Sequence, residues 1–293
     1  MPVQHHARAT RAVGTVRWRM RWAAAEPDVG SVLAEHPDPL ASLARAEVPA
    51  IVLRGAYSAE HCAALIDRFV ARGLMDSSLL NADSVQPRRV DIGTSLSNRA
   101  ADREGFLAHA EQTRELFATL FAGHPDPVQL VYDRLAGLAS GKRVTTAYEP
   151  GGRAYGPAIF RIHYAGHRYQ PHVDHVGKHE RRLDYAVSRF AHQFAGVLCL
   201  QNSRSGGRVA QSILHRCLWT PELEPCLQAD AFADYAAANA VEHYQVDLQP
   251  GDLYFFNTRL VHEVPALEGS SPRVVLAVFI GYSEDDPEVF VWS

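Results

Sequence analysis

The sequence predicts a mainly β protein with α-helices, in which a helical first half supports a two-sheet barrel of the jelly-roll type. From residue 143 onward, short runs rich in Val, Ile, Phe and Tyr alternate with turn signals such as EPGG and QPGD, as in antiparallel β-proteins. Before residue 143, apolar residues recur at helical spacing instead. We therefore expect a single domain over residues 1–293, with 1–142 as mainly helical support and 143–293 as the β core.

Four elements are predicted in the first half. The stretch TVRWRMRW (15–22) alternates apolar residues with Arg, which predicts an edge strand with a basic outer face. A helix is predicted over 58–74, with Ser58 as its N-cap and one apolar side. Two further helices are predicted over 102–122 and 127–139 from the same spacing of apolar residues.

Eight strands are predicted in the second half, and about eight is the number found in a jelly roll. They cover residues 143–148, 158–165, 193–201, 207–214, 243–248, 252–257, 273–282 and 288–292. The Ala-rich stretch 215–240 interrupts these strands. It is predicted to be a helical insertion, long enough to cover a site as lids do.

Composition narrows the classes of partner. The 293 residues carry a formal net charge of −4 and no extended basic field, so we expect no nucleic acid partner. No apolar run approaches the roughly 18 residues of a membrane span, so we expect no membrane partner. The four cysteines form no CxxC pair, which suits reduced thiols and a cytoplasmic location. The oligomeric state is not predicted.

Histidine followed two residues later by aspartate occurs three times. In His36-Pro-Asp38 and His124-Pro-Asp126, the aspartate precedes a Pro and then an apolar run. Asp is a preferred N-cap and Pro a preferred first helical residue, so we interpret Asp38 and Asp126 as helix caps.

The third pair, His172-Val-Asp174, lies in extended sequence, where residues two apart point to the same side. His262, in PGDLYFFNTRLVHEV, offers a third ligand. Two His and one carboxylate form the facial triad of non-haem Fe(II) sites, which keeps coordination positions open for substrate and oxygen. Arg273 opens the next apolar strand, where its guanidinium suits a carboxylate beside the metal. We therefore predict His172, Asp174 and His262 as the metal-binding, catalytic residues.

Four other histidines lie in the same segment, RIHYAGHRYQPHVDHVGKHE, and are not predicted as ligands. His163 is expected to pack within the fold, His167 to belong to a turn and His179 to lie at a solvated helix start. If the strand continues, the side chain of His175 points away from the metal. A hydrogen bond from His175 that supports the metal site stays open.

Two other uses of the three ligands stay open. A mononuclear zinc hydrolase can use two His and an Asp, but it needs a positioned general base, and the sequence has no HExxH motif. The alternative from a different functional class is a non-catalytic, cupin-like protein that binds or senses a metal. Such a protein has no use for Arg273 at this position.

The segment YAGHRYQPHVDH resembles the metal strand of prolyl-hydroxylase-type Fe(II)/2-oxoglutarate-dependent oxygenases, and LCLQNSRSGGRVAQ resembles the hairpin that follows it. The resemblance covers roughly 155–282 and implies a double-stranded β-helix with Fe(II), 2-oxoglutarate as co-substrate and O2. It implies that Arg273 grips the distal carboxylate of 2-oxoglutarate and that Tyr164 donates its hydroxyl to the same co-substrate. Many relatives carry Ser where this chain has Val275, so a second anchor on 2-oxoglutarate is not identified.

Segments spread over nearly the whole chain resemble the carrier-independent halogenases of hapalindole and welwitindolinone alkaloids and their hydroxylating relatives. These segments are VLRGAYS, LFAGHPDPV, PHVDHVG, PGDLYFFNTRLVHEV, GSSPRVVLAVF and VWS. In such halogenases Gly stands where this chain has Asp174, and loss of the carboxylate opens a position for chloride. The resemblance with Asp174 present therefore implies a hydroxylase.

The expected reaction is hydroxylation of an unactivated C–H bond in a freestanding small molecule, with release of succinate and CO2. A specialised metabolite or an amino acid derivative is the expected substrate. Desaturation, epoxidation or cyclisation by the same iron chemistry stays open, because the outcome depends on how the substrate is held.

By similarity, the stretch RVDIGTSLS (89–97) and the insertion 215–240 would line the substrate pocket. The candidate substrate residues are Asp91, Thr94, Leu96, Ile159 and Arg161. A carboxylate of the substrate would bind Arg161 or Arg153, which would suit an amino acid derivative.

Overall fold

The structure is a computed structural model that describes residues 22–75, 89–178, 180–205, 208–209, 211–266 and 271–293. Three sequence-based interpretations therefore lie outside the described residues. They are the edge strand over 15–22 apart from Trp22, the solvated His179, and the Gly206-Gly207 pair of the hairpin.

Helices dominate the described part of the first half. They are α1 (Val29–Glu35), α2 (Pro39–Ala44), α3 (Ala59–Ala71), α4 (Leu96–Arg99), α5 (Arg103–Leu120) and α6 (Pro127–Leu138), with α7 (Glu224–Gln228) and α8 (Phe232–Ala238) later in the chain. The three predicted long helices are confirmed as α3, α5 and α6. None of the helices within the described ranges has both the length and the apolar character needed to cross a bilayer.

The predicted helix caps are confirmed. Ser58 accepts a hydrogen bond from the backbone N–H of His61, at 3.1 Å. Asp38 caps α2 through the N–H of Ala41, at 3.2 Å, and Asp126 caps α6 through two backbone N–H groups. A cap of this kind contributes about 1 kcal/mol to stability. The two His-Pro-Asp segments are therefore helix starts.

The strands of the second half follow the prediction closely. The described strands are β1 (Ile51–Leu53), β2 (Arg89–Ile92), β3 (Arg143–Thr146), β4 (Ile159–His163), β5 (Tyr169–His172), β6 (His192–Gln201), β7 (Arg204–Ser205), β8 (Arg208–Val209), β9 (Ser212–Leu218), β10 (His243–Val246), β11 (Leu253–Asn257), β12 (Leu260–Val264), β13 (Arg273–Tyr282) and β14 (Glu288–Trp292). The predicted strand over 207–214 is divided between β8 and β9. Five short strands, β1, β2, β5, β7 and β12, were not predicted.

The strands form two main sheets. The larger sheet has the order β1-β11-β6-β13-β14-β3, with β4 beside the first half of β13 and β2 beside β4. The smaller sheet has the order β10-β9-β12-β5. Pairing is antiparallel throughout both sheets, except that β14 and β3 run parallel. The fold is thus mainly β with helices, built from antiparallel sheets.

Each face of the larger sheet has its own apolar core. One face packs on the helices, where Phe69 and Phe117 contact Phe160 edge-on. The other face turns to the smaller sheet, and Phe256 of β11 and Leu214 of β9 belong to the same buried cluster there. Because side chains alternate along a strand, Phe160 and its even-numbered neighbours face the helices, and the odd-numbered residues of β4 face the smaller sheet.

The insertion differs from its prediction. Residues up to Leu218 complete β9, so the helical part begins only at a 3-10 turn, Pro221–Leu223, and continues through α7 and α8. Phe232 of α8 packs with Val173 and Val261, which point away from the metal candidates on the same strands. The insertion therefore covers the outer face of the smaller sheet, because its apolar residues bury that face. It does not line the cavity described below, but Glu224, Leu227 and Gln228 line a separate cavity together with His172.

Candidate metal centre

The structure brings the three predicted metal ligands together. His172 ends β5, Asp174 follows it by two residues, and His262 lies on β12 directly opposite His172. The carboxylate Oδ2 of Asp174 lies 3.7 Å from Nε2 of His172 and 3.6 Å from Nε2 of His262. The backbone N–H of Asp174 donates to the carbonyl of Thr258 at 3.0 Å, which fixes the carboxylate at the strand end.

Backbone contacts set the tautomer of both imidazoles. Nδ1 of His172 lies 2.7 Å from the carbonyl oxygen of Gln170, and Nδ1 of His262 lies 2.8 Å from that of Leu260. A carbonyl oxygen only accepts, so each Nδ1 must carry the hydrogen, and each Nε2 presents a lone pair toward Asp174.

This donor set fits a divalent metal ion. Two imidazole lone pairs and one carboxylate converge with ligand atoms within 4.8 Å of one another. Burial raises the pKa of Asp174, but the two imidazoles beside it outweigh burial and hold that pKa well below its usual range. Two imidazoles and a carboxylate are the ligands that Fe(II) takes in a facial triad.

The triad opens into a cavity between the two sheets, which we call the triad cavity. Its apolar walls include Ile159, Val197, Phe256, Val264, Val275 and Phe279. Two cationic side chains, Arg161 and Arg273, also line it. The arrangement offers a metal site at one wall and two carboxylate-binding groups at another.

Arg273 is buried at the start of β13, directly opposite His163 of β4. Its Nη1 donates to Nδ1 of His163 at 3.3 Å, and Nε2 of His163 lies 3.0 Å from the hydroxyl of Tyr169. Because arginine only donates, Nδ1 of His163 is the acceptor and Nε2 carries the hydrogen. Burial, followed by the charge of Arg273, lowers the pKa of His163 well below its usual value, so this imidazole is neutral.

His163 therefore has a more specific place than the packing role expected from the sequence. It lines the triad cavity and holds Arg273 and Tyr169 at its two ring nitrogens. His167 stacks on its ring with the centroids 4.7 Å apart. Nδ1 of His175 accepts from the N–H of Gly177 at 3.1 Å, so His175 serves a local turn.

Tyr164 lies beside Arg273 but outside the triad cavity, and its predicted contact with 2-oxoglutarate stays a prediction. It is buried in the core shared with the helices, on the opposite side of the chain from His163. It borders a smaller cavity that also touches Arg273, but it does not line the triad cavity. The strand alternation that separates residues 163 and 164 is the physical reason.

Sequence reasoning missed two tyrosines of the triad cavity. Tyr169 lies on β5, which was not predicted as a strand, and Tyr254 lies on β11 with its hydroxyl 2.7 Å from that of Ser212. The period of two in LYFFN, which places Tyr254 on the same face as Phe256, was the available signal.

The candidate substrate residues divide into three groups. Ile159 and Arg161 line the triad cavity. Asp91 lies opposite Arg161 on β2 and borders a second cavity, which Ile159 separates from the first. Thr94 and Leu96 are buried and line neither cavity.

Arg153, the other candidate for a substrate carboxylate, is exposed. Its guanidinium forms an ion pair with Glu104 at 2.5 Å and does not line the triad cavity.

Solved structures of known proteins share this fold. No curated protein matches the sequence. Among solved structures, an N-substituted L-amino acid dioxygenase from Burkholderia ambifaria AMMD shares 15% identity at a TM-score of 0.55, covering 87% of this chain and 90% of that one. The structure of the same kind of enzyme in complex with alpha-KG gives 16% identity and a TM-score of 0.55, with the same coverage. These likenesses show the fold alone.

A weaker structural likeness is to the non-heme alpha ketoglutarate dependent epimerase SnoN from nogalamycin biosynthesis. It has 16% identity and a TM-score of 0.42, and covers 85% of this chain and 86% of that one. The family described as "Carrier-protein-independent halogenase WelO5" matches residues 26–293 of the sequence. The chain therefore belongs to this WelO5 halogenase family, which is Fe(II)/2-oxoglutarate-dependent.

Proposed function

We propose that the protein is an Fe(II)- and 2-oxoglutarate-dependent oxygenase that hydroxylates an unactivated C–H bond of a freestanding small molecule, releasing succinate and CO2. One observation carries the choice of hydroxylation. The carboxylate of Asp174 lies between the Nε2 atoms of His172 and His262, at 3.7 and 3.6 Å. The resemblance to alkaloid halogenases gives Gly at this position, where the space serves chloride.

The residues of the triad cavity have separate tasks in this proposal. His172, Asp174 and His262 hold the iron, and their backbone contacts keep both imidazoles in the ligating tautomer. Fe(II), together with 2-oxoglutarate and O2, supplies an oxidant strong enough to remove a hydrogen atom from an unactivated C–H bond. The apolar walls exclude water from that position.

Arg273 binds the distal carboxylate of 2-oxoglutarate. Its guanidinium is buried, faces the triad cavity and has a neutral partner, His163, that leaves its positive charge uncompensated. A bidentate arginine–carboxylate pair is strong and directional in such surroundings. A non-catalytic metal sensor has no use for this arrangement.

Other outcomes of the same chemistry differ from hydroxylation only in how the substrate is held. Desaturation, epoxidation and cyclisation need the same triad and the same Arg273. The intact carboxylate at Asp174 favours all of these outcomes over halogenation, because no coordination position is reserved for a second anion.

The finer architecture is also part of the proposal. We propose that the two sheets form a double-stranded β-helix and that residues 1–293 form one catalytic domain, with 1–142 supporting the β core of 143–293. Packing of α3 and α5 on the larger sheet supports this division. The triad on the smaller sheet and Arg273 on the larger sheet support an active site between the two.

The proposed function is tested with a panel of candidate metabolites and amino acid derivatives in aerobic, chloride-containing buffer. Succinate formation that depends on one compound identifies a substrate, and mass spectrometry of the product should show the gain of one oxygen atom. A chlorinated product from the wild-type protein would show that Asp174 does not keep halide out.

A further inference from the structure

Arg161 is the second cationic group of the triad cavity. On β4 it lies between Ile159 and His163 on the face that lines this cavity. It is opposite Val275 on one neighbouring strand and Asp91 on the other. Residues two apart on a strand are separated by about 7 Å, so Arg161 lies about that far along the wall from His163 and the Arg273 site.

No partner for this guanidinium exists among the described residues. Within the described ranges, Arg161 forms no ion pair within 4.0 Å, and its Nε is buried without a hydrogen-bond acceptor. Asp91, the nearest carboxylate by strand register, forms no ion pair with Arg161 within 4.0 Å: its Oδ2 accepts from Nη2 of Arg89 at 2.9 Å, and its Oδ1 is buried without a hydrogen-bond partner. A partly buried guanidinium without an anion is costly unless a ligand supplies one.

A charge balance shows that iron and 2-oxoglutarate do not supply this anion. The two positive charges of Fe(II) are offset by Asp174 and by the carboxylate at the keto end of 2-oxoglutarate. The distal carboxylate offsets Arg273, and Asp91 offsets Arg89. The charge of Arg161 is left over, so the loaded triad cavity still attracts one further anion.

We propose that Arg161 binds a carboxylate of the substrate, and that the substrate is a small monocarboxylic acid with an apolar body. The apolar body follows from the walls beside Arg161, which include Ile159, Val275 and Phe279. The carboxylate follows from the planar guanidinium, which pairs with carboxylates in a bidentate way. This inference rests on the proposed function, because the metal and co-substrate define the space that is left.

The carboxylate at the keto end of 2-oxoglutarate has the same chemistry as a substrate carboxylate, so the first arm of the test separates the two sources. Under anaerobic conditions, 2-oxoglutarate bound to Fe(II) gives a visible charge-transfer band, and titration of this band gives its dissociation constant. We expect Arg161→Gln to bind 2-oxoglutarate within threefold of wild type. A weakening of tenfold or more would assign Arg161 to the co-substrate and overturn the inference.

The second arm uses two probes that differ only in charge, N-acetyl-L-leucine and its primary amide, N-acetyl-L-leucinamide. Each is titrated into the anaerobic complex of protein, Fe(II) and 2-oxoglutarate, and binding is followed by the shift of the same band. We expect the wild type to bind the acid at least tenfold more tightly than the amide. Arg161→Gln should lose this preference, and Arg161→Lys should keep part of it.

Two further variants test whether the preference for the acid depends on Arg161 in particular. Arg216→Gln removes an exposed arginine that pairs with Glu242 on the surface, and it should keep the full preference for the acid. Arg153→Gln tests the other arginine suggested by the sequence. Equal binding of acid and amide by the wild type, failure of both to bind, or a preference that survives in Arg161→Gln would overturn the inference. A wild-type protein without the band would instead contradict the proposed function.

Discussion

At the scale of single residues, hydrogen-bond direction decides what each imidazole of the site can do. His172 and His262 donate through Nδ1 to carbonyl oxygens and so present Nε2 to a metal. His163 does the reverse, because Arg273 forces its Nδ1 to accept. Three histidines of one cavity are thus fixed in two different tautomers by their neighbours.

His163 is a positioning residue for Arg273, and its variants test this role. His163→Leu removes the acceptor of Arg273 and should weaken 2-oxoglutarate binding about tenfold. His163→Asn places an amide oxygen near the former Nδ1 and should recover most of the affinity. The dissociation constant is measured from the anaerobic charge-transfer band. If His163→Leu bound 2-oxoglutarate as the wild type does, Arg273 would not depend on His163.

At the scale of elements, two of the unpredicted strands, β5 and β12, carry metal ligands. β4, β6, β11 and β13 are apolar enough to be predicted. β5, with the sequence YQPH, and β12, with LVHEV, contain the ligands and other polar residues in place of an alternating apolar pattern. Local sequence could not identify them because their stability comes from pairing with each other and from packing with the insertion.

The ligands themselves could be predicted, because the spacing of His172 and Asp174 needs only extended backbone. To predict whether a side chain points into the cavity, the exact strand register is needed. Tyr164 and His163 show this, because His163 lines the triad cavity whereas its neighbour Tyr164 is buried in the core. Tyr169 could not be assigned for the same reason, because it lies on an unpredicted strand.

The insertion packs on the outer face of the strands that carry the metal ligands, and a variant in α8 tests whether this packing supports them. Phe232 is 1% exposed and packs with Val173 and Val261, which lie next to metal ligands. Phe232→Ala should lower the free energy of unfolding by about 3 to 5 kcal/mol and weaken Fe(II) binding. Tyr235→Ala, at a residue 38% exposed on the same helix, should cost under about 1 kcal/mol.

Denaturant unfolding and Fe(II) titration of these two variants are the measurements. Equal losses in both variants would mean that the outer face of the smaller sheet does not depend on the buried ring. Loss of stability without loss of Fe(II) affinity would mean that the insertion does not hold the metal strands in place.

At the scale of the whole molecule, several histidines are held neutral and make stability depend on pH. Burial is the largest cause that lowers the pKa of His163, His167 and His192 in the folded chain. Below the ordinary histidine pKa of about 6.5, the unfolded chain therefore binds protons that the folded chain does not. The sign of this linkage is that stability falls as the pH drops below that value.

Thermal unfolding of the metal-free protein checks this expectation. The Tm should be lower at pH 5.5 than at pH 7.5, and His163→Asn should reduce the difference because it removes one of the contributing groups. A Tm that rises on acidification would contradict the neutral state of these imidazoles.

The proposed active site depends on the whole molecule, because it joins a triad on the smaller sheet to an arginine on the larger sheet. In the proposed function, the carboxylate at the keto end of 2-oxoglutarate binds the metal while the carboxylate at the other end binds Arg273. Only a fold that sets the two sheets at the right separation allows both contacts at once.

The most direct test is the visible charge-transfer band that forms when Fe(II) and 2-oxoglutarate are added to the protein without oxygen. The account predicts the band for the wild type, a weaker band for Asp174→Ala through loss of an iron ligand, and a weaker band for Arg273→Ala through loss of the co-substrate anchor. Arg216→Gln should leave the band unchanged. Absence of the band from intact, folded protein would contradict the account.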